Sequence, residues 1–468
     1  MDTVTVDTRV ILYRAQRALA QGEYEEAVVF LESAHSSASS TQQADLKLHL
    51  AGVYALYRER GLDGALLCLS EAVQASPVVV QTPLYQALAW QLAACQGETL
   101  SRVRQGVAKA LQSAQPLAQF HAASALVITG GFRRATRVLQ TLTGLPEHLE
   151  WRRWSLLAEA HAKHGDWEKA RDFYAKSVHL CRGTDVQGEF LSLAEALLHL
   201  SLSSEALTIL KTLQLNDDLL SDDLRVRKSY LQGLTAVMLG QPTTALDYFL
   251  SAYTLATQSN QVPFDLLFQL ARAFAACNQF EQAARTYEQA LEKATHDLRP
   301  FVLHSYGVTL AEIHQFVRAR GILESAISEA RYPHRDAARA DLAEVYIQLN
   351  DLVNAHALAT QALSGTESAA ACLCLGKIAL EYFHTDEAVS WFERAISDAH
   401  EGDDVWIAAH VLLADTLAQD QFSTPQRIHD YAQKALRYLP NYDDWATILR
   451  SYVAKAEQHF GGSARLLN

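Results

Sequence analysis

The sequence is a chain of 468 residues that is 49% hydrophobic and 20% charged, with a formal net charge of −13. That hydrophobic content permits extensive burial of side chains and excludes an intrinsically disordered protein. The acidic balance argues against nucleic acid and anionic membrane surfaces as direct partners, because both require a basic surface.

The beginning of the chain and its cysteines indicate a cytoplasmic protein. Asp2 and Asp7 stand where a secretory signal needs basic residues, and Arg14 and Arg17 interrupt the apolar run that follows. No run of about eighteen apolar residues occurs, so we expect no membrane insertion. The six cysteines are scattered without the spacing of metal ligands, which favours free buried thiols in a reducing compartment.

Helix-forming residues dominate the whole chain. Only 10 prolines and 21 glycines interrupt an Ala- and Leu-rich sequence in which apolar residues recur at spacings of three and four. This pattern predicts an all-α fold. The one candidate strand, "SPVVVQ" at 76–81, contains Pro77 and is followed by Pro83, so we interpret it as a connector between helices.

A repeat of 33 to 39 residues runs along the chain and is clearest in "HGDWEKARDFYAKSV" at 164–178. Its anchor is Ala170, a small residue early in a predicted second helix. The equivalent anchors are Ala27, Ala65, Ala135, Ala206, Ala245, Ala283, Ala319, Ala355 and Ala388. The gap of 70 residues between Ala65 and Ala135 spans two units and contains a degenerate third repeat around 84–115. We count about twelve units.

Each unit is predicted to be a pair of antiparallel helices. Another small residue precedes most anchors by twelve positions, for example Ala158 before Ala170 and Gly233 before Ala245. Small residues at both places allow two helix backbones to approach closely, and a bulky residue four positions after the anchor should fill the space towards the next unit. The array should cover 1–440.

The end of the chain is predicted to close the array. A capping helix should occupy 441–460, running from about Trp445 to His459, with a flexible tail at 461–468. Terminal units of a repeat array need a polar outer face, which Arg450, Lys455 and Glu457 can supply.

The repeat resembles the tetratricopeptide repeat family. The residues that carry the resemblance stand at the family's alternating large and small positions: Trp154, Leu157, Ala158, His161, Ala170, Tyr174 and Ser177. The resemblance covers about 10–440. It implies a right-handed superhelical solenoid whose first helices line a concave groove, and it implies protein–protein interaction.

No motif for catalysis or cofactor binding is present in the sequence. There is no G-x-G-x-x-G, no phosphate loop and no H-E-x-x-H. His161 and His164 form H-x-x-H, but His161 occupies a packing position of the repeat and His164 lies at a helix end. We therefore predict a protein that is not an enzyme and needs neither a cofactor nor a metal ion.

The candidate binding residues are those expected to face the groove from the first helices. They are Phe120, Leu191, Tyr230, Leu234, Phe268, Arg272 and His304. Aromatic residues and arginine are the types that most often anchor partners. The set is mostly apolar, which favours a groove for an amphipathic helix or an extended apolar peptide. In the alternative interpretation, the array buries these side chains against its own neighbouring helices.

The resulting functional hypothesis is a non-catalytic scaffold or adaptor that binds a segment of a partner protein. The alternative is a peptide- or ligand-sensing regulator that acts through a separate output chain, since the repeats leave no room for an output domain. Self-association through Trp391, Phe392 and Trp406 is a third option.

Overall fold

The computed structural model describes residues 8–34, 38–56, 61–183, 185–213, 220–259, 261–365, 368–420, 423–440 and 443–465. Within these ranges every regular element is helical, which confirms the predicted all-α fold. The chain divides into two compact units, Met1–Gln261 and Val262–Asn468, called unit one and unit two below.

Unit one is a series of helix pairs, each with a first helix, a short turn and a second helix. Its described helices are α1 (Thr8–Gln21), α2 (Tyr24–Ser33), α3 (Ser40–Leu56), α4 (Gly61–Ala75), α5 (Pro83–Cys95), α6 (Leu100–Gly106), α7 (Ala108–Gln112), α8 (Pro116–Ile128), α9 (Phe132–Thr141), α10 (Glu147–Ala162), α11 (Trp167–Leu180), α12 (Asp185–His199), α13 (Ser203–Leu213), α14 (Asp222–Met238) and α15 (Pro242–Gln258). Asp166 begins α11 as its N-cap, accepting a hydrogen bond from the backbone N–H of Lys169 at 3.3 Å.

Unit two continues the same design. Its described helices are α16 (Phe264–Ala276), α17 (Phe280–Lys293), α18 (Arg299–Glu312), α19 (Phe316–Ser328), α20 (Arg335–Gln348), α21 (Leu352–Leu363), α22 (Ser368–Glu381), α23 (Thr385–Asp398), α24 (Asp404–Gln419), α25 (Pro425–Leu436) and α26 (Asp444–Arg465). Even-numbered helices from α16 to α24 are the first members of their pairs. Asp351 caps α21 in the way that Asp166 caps α11.

The small residues of the repeat form the centre of each pair. All ten anchor alanines, Ala170 and its nine equivalents, are 0% exposed. A Cβ built on Gly233 would lie 2.5 Å from Phe249, and one on Gly376 would lie 2.4 Å from Phe392. Glycine is required there because the bulky residue packs directly onto the first helix of its own pair. For these two pairs, the prediction that the bulky residue four positions after the anchor fills the space towards the next unit is wrong.

The third repeat is degenerate, and its second helix is broken into α6 and α7. The indole of Trp90 lies where a side chain on Gly106 would be, since a Cβ there would come within 1.8 Å of Trp Cε2. The first helix of this repeat, α5, packs mainly against α8 of the next pair. The preceding segment 76–81 is a connector as predicted, because Pro77–Gln81 forms a 3-10 turn.

The first pair of unit one packs against the fifth. Helix α1 contacts α10, and the Tyr24 hydroxyl on α2 donates a hydrogen bond to the Asp185 carboxylate at the start of α12. Gly22 and Gly183 meet backbone to backbone, because a Cβ on Gly22 would lie 2.9 Å from the Gly183 Cα. This contact closes the first five pairs of unit one on themselves.

The C-terminal helix is longer than predicted. Helix α26 begins at Asp444, one residue before the predicted start, and extends to Arg465 instead of ending near His459. The predicted flexible tail therefore begins inside a helix, and residues 466–468 lie outside the described residues. Arg450, Lys455 and Glu457 are exposed, as the capping interpretation requires.

Self-association through the C-terminal aromatic residues is not supported. Phe392 is 0% exposed and Trp406 is buried, both in the core of unit two. Trp391 is half-buried and packs against the same core. These rings are used by the fold itself and are not available to a second chain.

Candidate functional site

The first-helix face of unit one is closed where the first five pairs meet. Helices α1, α3, α8 and α10 surround a cavity of ≈ 40 Å³. Phe120 on α8 is 0% exposed, and so is Leu191 on α12. Both were predicted to face an open groove, and both predictions are wrong because these side chains belong to the hydrophobic core.

Three histidines line this closed cavity: His49, His121 and His148. The Nδ1 atom of His121 donates to the side-chain oxygen of Gln91 at 2.7 Å, which assigns the remaining lone pair to Nε2. Among the described residues, neither His121 Nε2 nor His148 Nδ1 has a hydrogen-bond partner. Burial, and then the charge of His49, lower the pKa of His121 to about 3 and that of His148 to about 4. The cavity therefore holds neutral imidazoles.

Tyr230 and Leu234 lie on α14, also in unit one. Both are half-buried and pack against the Leu- and Ala-rich core formed by α12, α13 and α14. The Tyr230 ring centroid lies 5.9 Å from that of Phe249 in the same pair. These two side chains are therefore tied to the interior of unit one and leave little apolar surface for a partner.

The rest of the unit-one face carries charged and polar side chains together with the exposed apolar residues Val237 and Met238 at the end of α14. Arg152 donates to Ser155 and to Glu159, both at 2.9 Å, and Ser155 donates to Glu189 on the next first helix at 2.9 Å. Burial raises the pKa of Glu189, and the charge of Arg152 opposes this. One pair further on, Arg227 donates to Glu195 at 2.6 Å. These side chains pair with one another, although the buried Oε2 atom of Glu189 has no hydrogen-bond partner among the described residues.

Unit two presents a different first-helix face, which we call the open face. It is formed by α16, α18, α20 and α22 and carries Phe268, Arg272, His304, Val308, Asp341, Glu344 and Lys377. A cavity of ≈ 300 Å³ lies on it, lined by Arg272, Ala275, Tyr287, His304, Ser305, Val308, Thr309 and Asp341. Three predicted residues, Phe268, Arg272 and His304, are therefore brought together here.

Arg272 is an exposed cation at the edge of this cavity. Its guanidinium carbon lies 6.0 Å from the ring centroid of Phe268, and its polar contact is a hydrogen bond to the Gln269 side-chain oxygen at 3.4 Å. No carboxylate within the described ranges forms an ion pair with it. Phe268 is half-buried, stacked on Phe264 and 6.1 Å from Tyr287. The two side chains thus offer a charge and an aromatic surface next to each other.

His304 is held in place from both sides. Its Nδ1 lies 2.8 Å from the Tyr332 hydroxyl and its Nε2 lies 2.6 Å from an Asp341 carboxylate oxygen. Burial, and then the charge of Asp341, raise the pKa of Tyr332 to about 12. The phenol therefore donates to Nδ1, and the Nε2 proton is donated to Asp341. Since Tyr332 is 6% exposed, this arrangement positions the imidazole and does not present a nucleophile.

Adjacent first helices of the open face are bridged by polar or charged side chains, with one exception. His304–Asp341 joins α18 to α20, and Lys377 donates to Glu344 at 2.9 Å to join α22 to α20. Within the described residues, no ion pair joins α16 to α18, and this junction contains the cavity and Arg272. The face therefore has an unpaired cation where its neighbours have a satisfied pair.

The sequence analysis missed Asp341, Tyr332, Glu344 and Lys377. Complementary polar residues one repeat apart could have identified the two bridges, since His304 precedes Asp341 by 37 residues and Glu344 precedes Lys377 by 33. Tyr332 lies in the loop between α19 and α20, where the repeat gives no register.

Metal-binding clusters and membrane-spanning helices were also sought among the described residues. Among the described residues, no group of three or more His, Cys, Asp or Glu is placed to hold a metal ion. Over the same residues, no helix has both the length and the apolar character that crossing a bilayer demands. His161 packs against Phe173 and lies 3.3 Å from Asp166, in keeping with its predicted packing role.

All six cysteines are free thiols. Four of them are buried, as predicted: Cys68, Cys181, Cys372 and Cys374. Cys95 is exposed and Cys277 is half-buried, so the expectation of burial is wrong for these two.

Comparison with known protein families gives one match, which covers part of the open face. The sequence profile of the tetratricopeptide repeat family matches residues 266–300, which contain Phe268 and Arg272. No protein of curated function matches the chain.

Three similar solved structures are each 14% identical to this chain. The APC/C hetero-tetramer Cut9–Hcn1 matches over 89% of this chain and 96% of that one, with a TM-score of 0.41. The apo form of the quorum sensor NprR from B. thuringiensis matches over 68% and 98%, with a TM-score of 0.49. A tetratricopeptide repeat protein from Parabacteroides merdae matches over 55% and 98%, with a TM-score of 0.40.

Proposed function

We propose that this chain is a non-catalytic tetratricopeptide repeat scaffold that binds a segment of a partner protein on the open face of unit two, where residues 266–300 match the family profile. The observation that carries the proposal is the unpaired cation Arg272 beside Phe268, at a cavity of ≈ 300 Å³. Aromatic and arginine side chains dominate the energetics of protein interfaces. The six free cysteines support a reducing compartment such as the cytoplasm.

The chemistry of the open face favours a segment with both an acidic and an apolar group. Arg272 can donate to a carboxylate, and charge-assisted hydrogen bonds of this kind are stronger than neutral ones. The hydroxyls of Ser305 and Thr309 and the side chain of Val308 line the same cavity. An extended apolar peptide, one of the two ligands expected from the sequence, would leave the guanidinium unpaired and is the poorer ligand.

The direct test is affinity capture from the native host with the wild-type chain and with the double variant Phe268→Ala/Arg272→Ala. We expect a specific partner to be captured by the wild type and lost with the variant. Binding of a synthetic segment of that partner, measured by calorimetry, should weaken by about tenfold or more, since each truncated anchor of this type costs about 1–2 kcal/mol.

A matched control is available in the same unit. Phe383→Ala/Arg285→Ala makes the same two chemical changes at exposed positions outside the open face. This control should bind like the wild type. Equal binding by the folded Phe268→Ala/Arg272→Ala variant would contradict the proposal, and circular dichroism checks that both variants remain folded.

The second candidate function is sensing of a peptide or small ligand, with a separate output chain. The volume of the open-face cavity, ≈ 300 Å³, lies at the lower end of the range for small-molecule sites of roughly 300–1,000 Å³, which favours this option. A ligand that binds the folded state raises the melting temperature. A metabolite that stabilises the wild type but not Arg272→Ala would support sensing over a scaffold.

A further inference from the structure

A basic surface lies on unit one, although the chain as a whole is acidic. Between Glu98 and Glu147 there are six Lys and Arg residues and no Asp or Glu. The other 34 of the 40 basic residues share the remaining sequence with all 53 acidic residues. We call these six the basic surface: Arg102, Arg104, Lys109, Arg133, Arg134 and Arg137.

The six side chains are exposed and almost entirely unpaired. All of them lie on α6, α7 and α9, and all are exposed to solvent. Arg102 pairs with Glu98 at 2.9 Å. The other five form no ion pair with any residue that the structure describes. Five free cations in an acidic protein give a strong local positive potential.

A contact between helix beginnings brings the two groups of arginines together. A Cβ on Gly131, which precedes α9, would lie 3.1 Å from Leu100, the first residue of α6. Arg104 follows Leu100 by four residues, and Arg133 follows Gly131 by two. At the rise of an α-helix, each arginine backbone lies within about 6 Å of this contact along its own helix. The backbones of Arg104 and Arg133 therefore lie near the same point.

The arginines on α9 do not serve the fold. Ala135 and Leu139 on this helix are 0% exposed and fix its buried side. Arg133 and Arg137 stand at i and i+4 on the other side, where like charges destabilise a helix. Residues that break a local rule without a compensating contact are expected at functional surfaces.

The platform beneath the basic surface is rigid. The Trp90 ring packs against Gly106 at the end of α6, with no room for a side chain between them. Val103 and Val107 are 0% exposed and anchor the break between α6 and α7 in the core. A fixed backbone beneath the arginines leaves mainly their side chains to be ordered on binding.

From these observations we propose that the basic surface docks an acidic polypeptide segment of a partner protein. Arginine, which supplies five of the six cations, presents paired N–H donors that match a carboxylate. Nucleic acid is disfavoured because the segment between Glu98 and Glu147 has two phenylalanines and no other large aromatic side chain. Phe120 is buried and Phe132 half-buried, which leaves no platform for stacking bases. A membrane surface is disfavoured because the segment exposes one large apolar side chain, Ile128.

This site is separate from the open face, which lies in unit two, so the two proposals can fail independently. The test uses the full chain and a fluorescein-labelled peptide of ten glutamates, with binding followed by anisotropy at 50 and 200 mM salt. We expect binding that weakens as salt rises. The triple variant Arg133→Gln/Arg134→Gln/Arg137→Gln should bind the peptide about tenfold or more weakly.

The control variant makes the same change in net charge elsewhere. Arg285→Gln/Arg299→Gln/Arg331→Gln removes three exposed arginines of unit two and should bind the peptide like the wild type. Equal weakening in both triple variants would show an effect of net charge alone and overturn the proposal. Absence of peptide binding at 50 mM salt would also overturn it.

Two further measurements separate the other possible partners. A ten-nucleotide single strand of thymidine and vesicles containing phosphatidylserine carry comparable negative charge in phosphates. Tighter binding of either one than of the glutamate peptide, lost in the same Arg133/Arg134/Arg137 variant, would assign the surface to nucleic acid or membrane. The proposal requires the peptide to bind more tightly than both.

Discussion

The first-helix faces of the two units are built from the same repeat, but one is covered by other helices and the other is exposed. In unit one, α1 packs against α10, and the enclosed space is ≈ 40 Å³. In unit two, the face formed by α16, α18 and α20 carries a cavity of ≈ 300 Å³ and an exposed arginine. The comparison teaches that the repeat itself does not create a binding groove. A groove exists only where distant pairs leave the face uncovered.

The meeting point of the first and fifth pairs explains the closure of unit one. Gly22 and Gly183 have φ of 82° and 73° and bring two backbones into contact. Tyr24 then bonds to Asp185 across the same junction. Neither glycine could be replaced without strain, since both lie in the left-handed region and face each other.

The largest expected effect is a difference in lost stability between alanine variants of two phenylalanines at equivalent positions of the repeat. Phe120 and Phe268 each stand three residues before the small residue of a first helix, and Phe120 is 0% exposed while Phe268 is half-buried. Phe120→Ala should lower the free energy of unfolding around α8 by about 3–5 kcal/mol. Phe268→Ala should cost about 1–2 kcal/mol around α16. Native-state hydrogen exchange measures both, and equal losses would contradict the difference between the faces.

A pH-dependent effect on stability is expected at the closed cavity. The native pKa values of His121 and His148, about 3 and about 4, lie below the ordinary value of 6.5. Between the native pKa of each histidine and pH 6.5, the unfolded state therefore binds more protons than the folded state. The free energy of unfolding falls as pH falls below 6.5, by up to about 1.4 kcal/mol per pH unit for each histidine. Above pH 6.5 this contribution is fully present. Hydrogen exchange of α8 and α10 between pH 6.5 and 4.5 measures the slope.

Matched variants isolate the histidine contribution from that of the carboxylates. His148→Gln removes one titrating imidazole and should flatten the pH slope in α10. His164→Gln makes the same change at an exposed position in the next turn and should leave the slope as in the wild type. An unchanged slope in His148→Gln would show that another group is responsible.

A smaller effect is expected at the junction that closes unit one. Tyr24→Phe removes the hydroxyl that bonds to Asp185 and should destabilise the α1–α2 pair by about 1 kcal/mol. Hydrogen exchange within α1 should accelerate accordingly, while α16 is unaffected. Tyr13→Phe, on an exposed tyrosine of α1, is the control and should change nothing. Loss of protection in both variants would argue against a specific junction.

The smallest expected effect concerns the turns between paired helices, which also differ between units. Most of these turns in unit one place glycine in the left-handed region, as at Gly165 and Gly240, whereas unit two places Asn350 and Phe383 there. Phe383 has φ of 62° and is 91% exposed. Phe383→Gly should therefore raise stability by about 0.5 kcal/mol, the strain relieved minus the added chain entropy.

The control for this turn keeps the strain and removes the ring. Phe383→Ala retains a Cβ in the left-handed region and should give no gain. The comparison is made by thermal unfolding of the full chain. A gain in Phe383→Ala equal to that in Phe383→Gly would show that the exposed ring, and not the backbone, is the cause.

The helix pairs could be predicted from the sequence because their packing depends on residues close together in the chain. The anchor Ala170 and the small residue Ala158 lie twelve positions apart, and both are 0% exposed. Such spacings repeat, so a single sequence reveals them. The broken second helix of the third repeat was visible only as a loss of the pattern.

The closure of unit one could not be predicted, because it joins residues far apart in the chain. Tyr24 and Asp185 are separated by 161 positions, and nothing periodic connects them. Phe120 and Phe268 therefore looked identical in the repeat, and the tertiary contact decided which of them became core. The polar bridges of the open face were not predicted, because the candidate binding residues were mostly apolar.

The central claim is that the unit-two face is open while the unit-one face is closed, and thiol labelling tests it most directly. Val308→Cys and Val53→Cys make the same change at valines that line the two cavities, in a Cys95→Ser/Cys277→Ser background. We expect N-ethylmaleimide to modify residue 308 at nearly the rate of a free thiol. Residue 53 should react at least about 100-fold more slowly, which corresponds to about 2.7 kcal/mol of closure. Equal rates at the two positions would contradict the account.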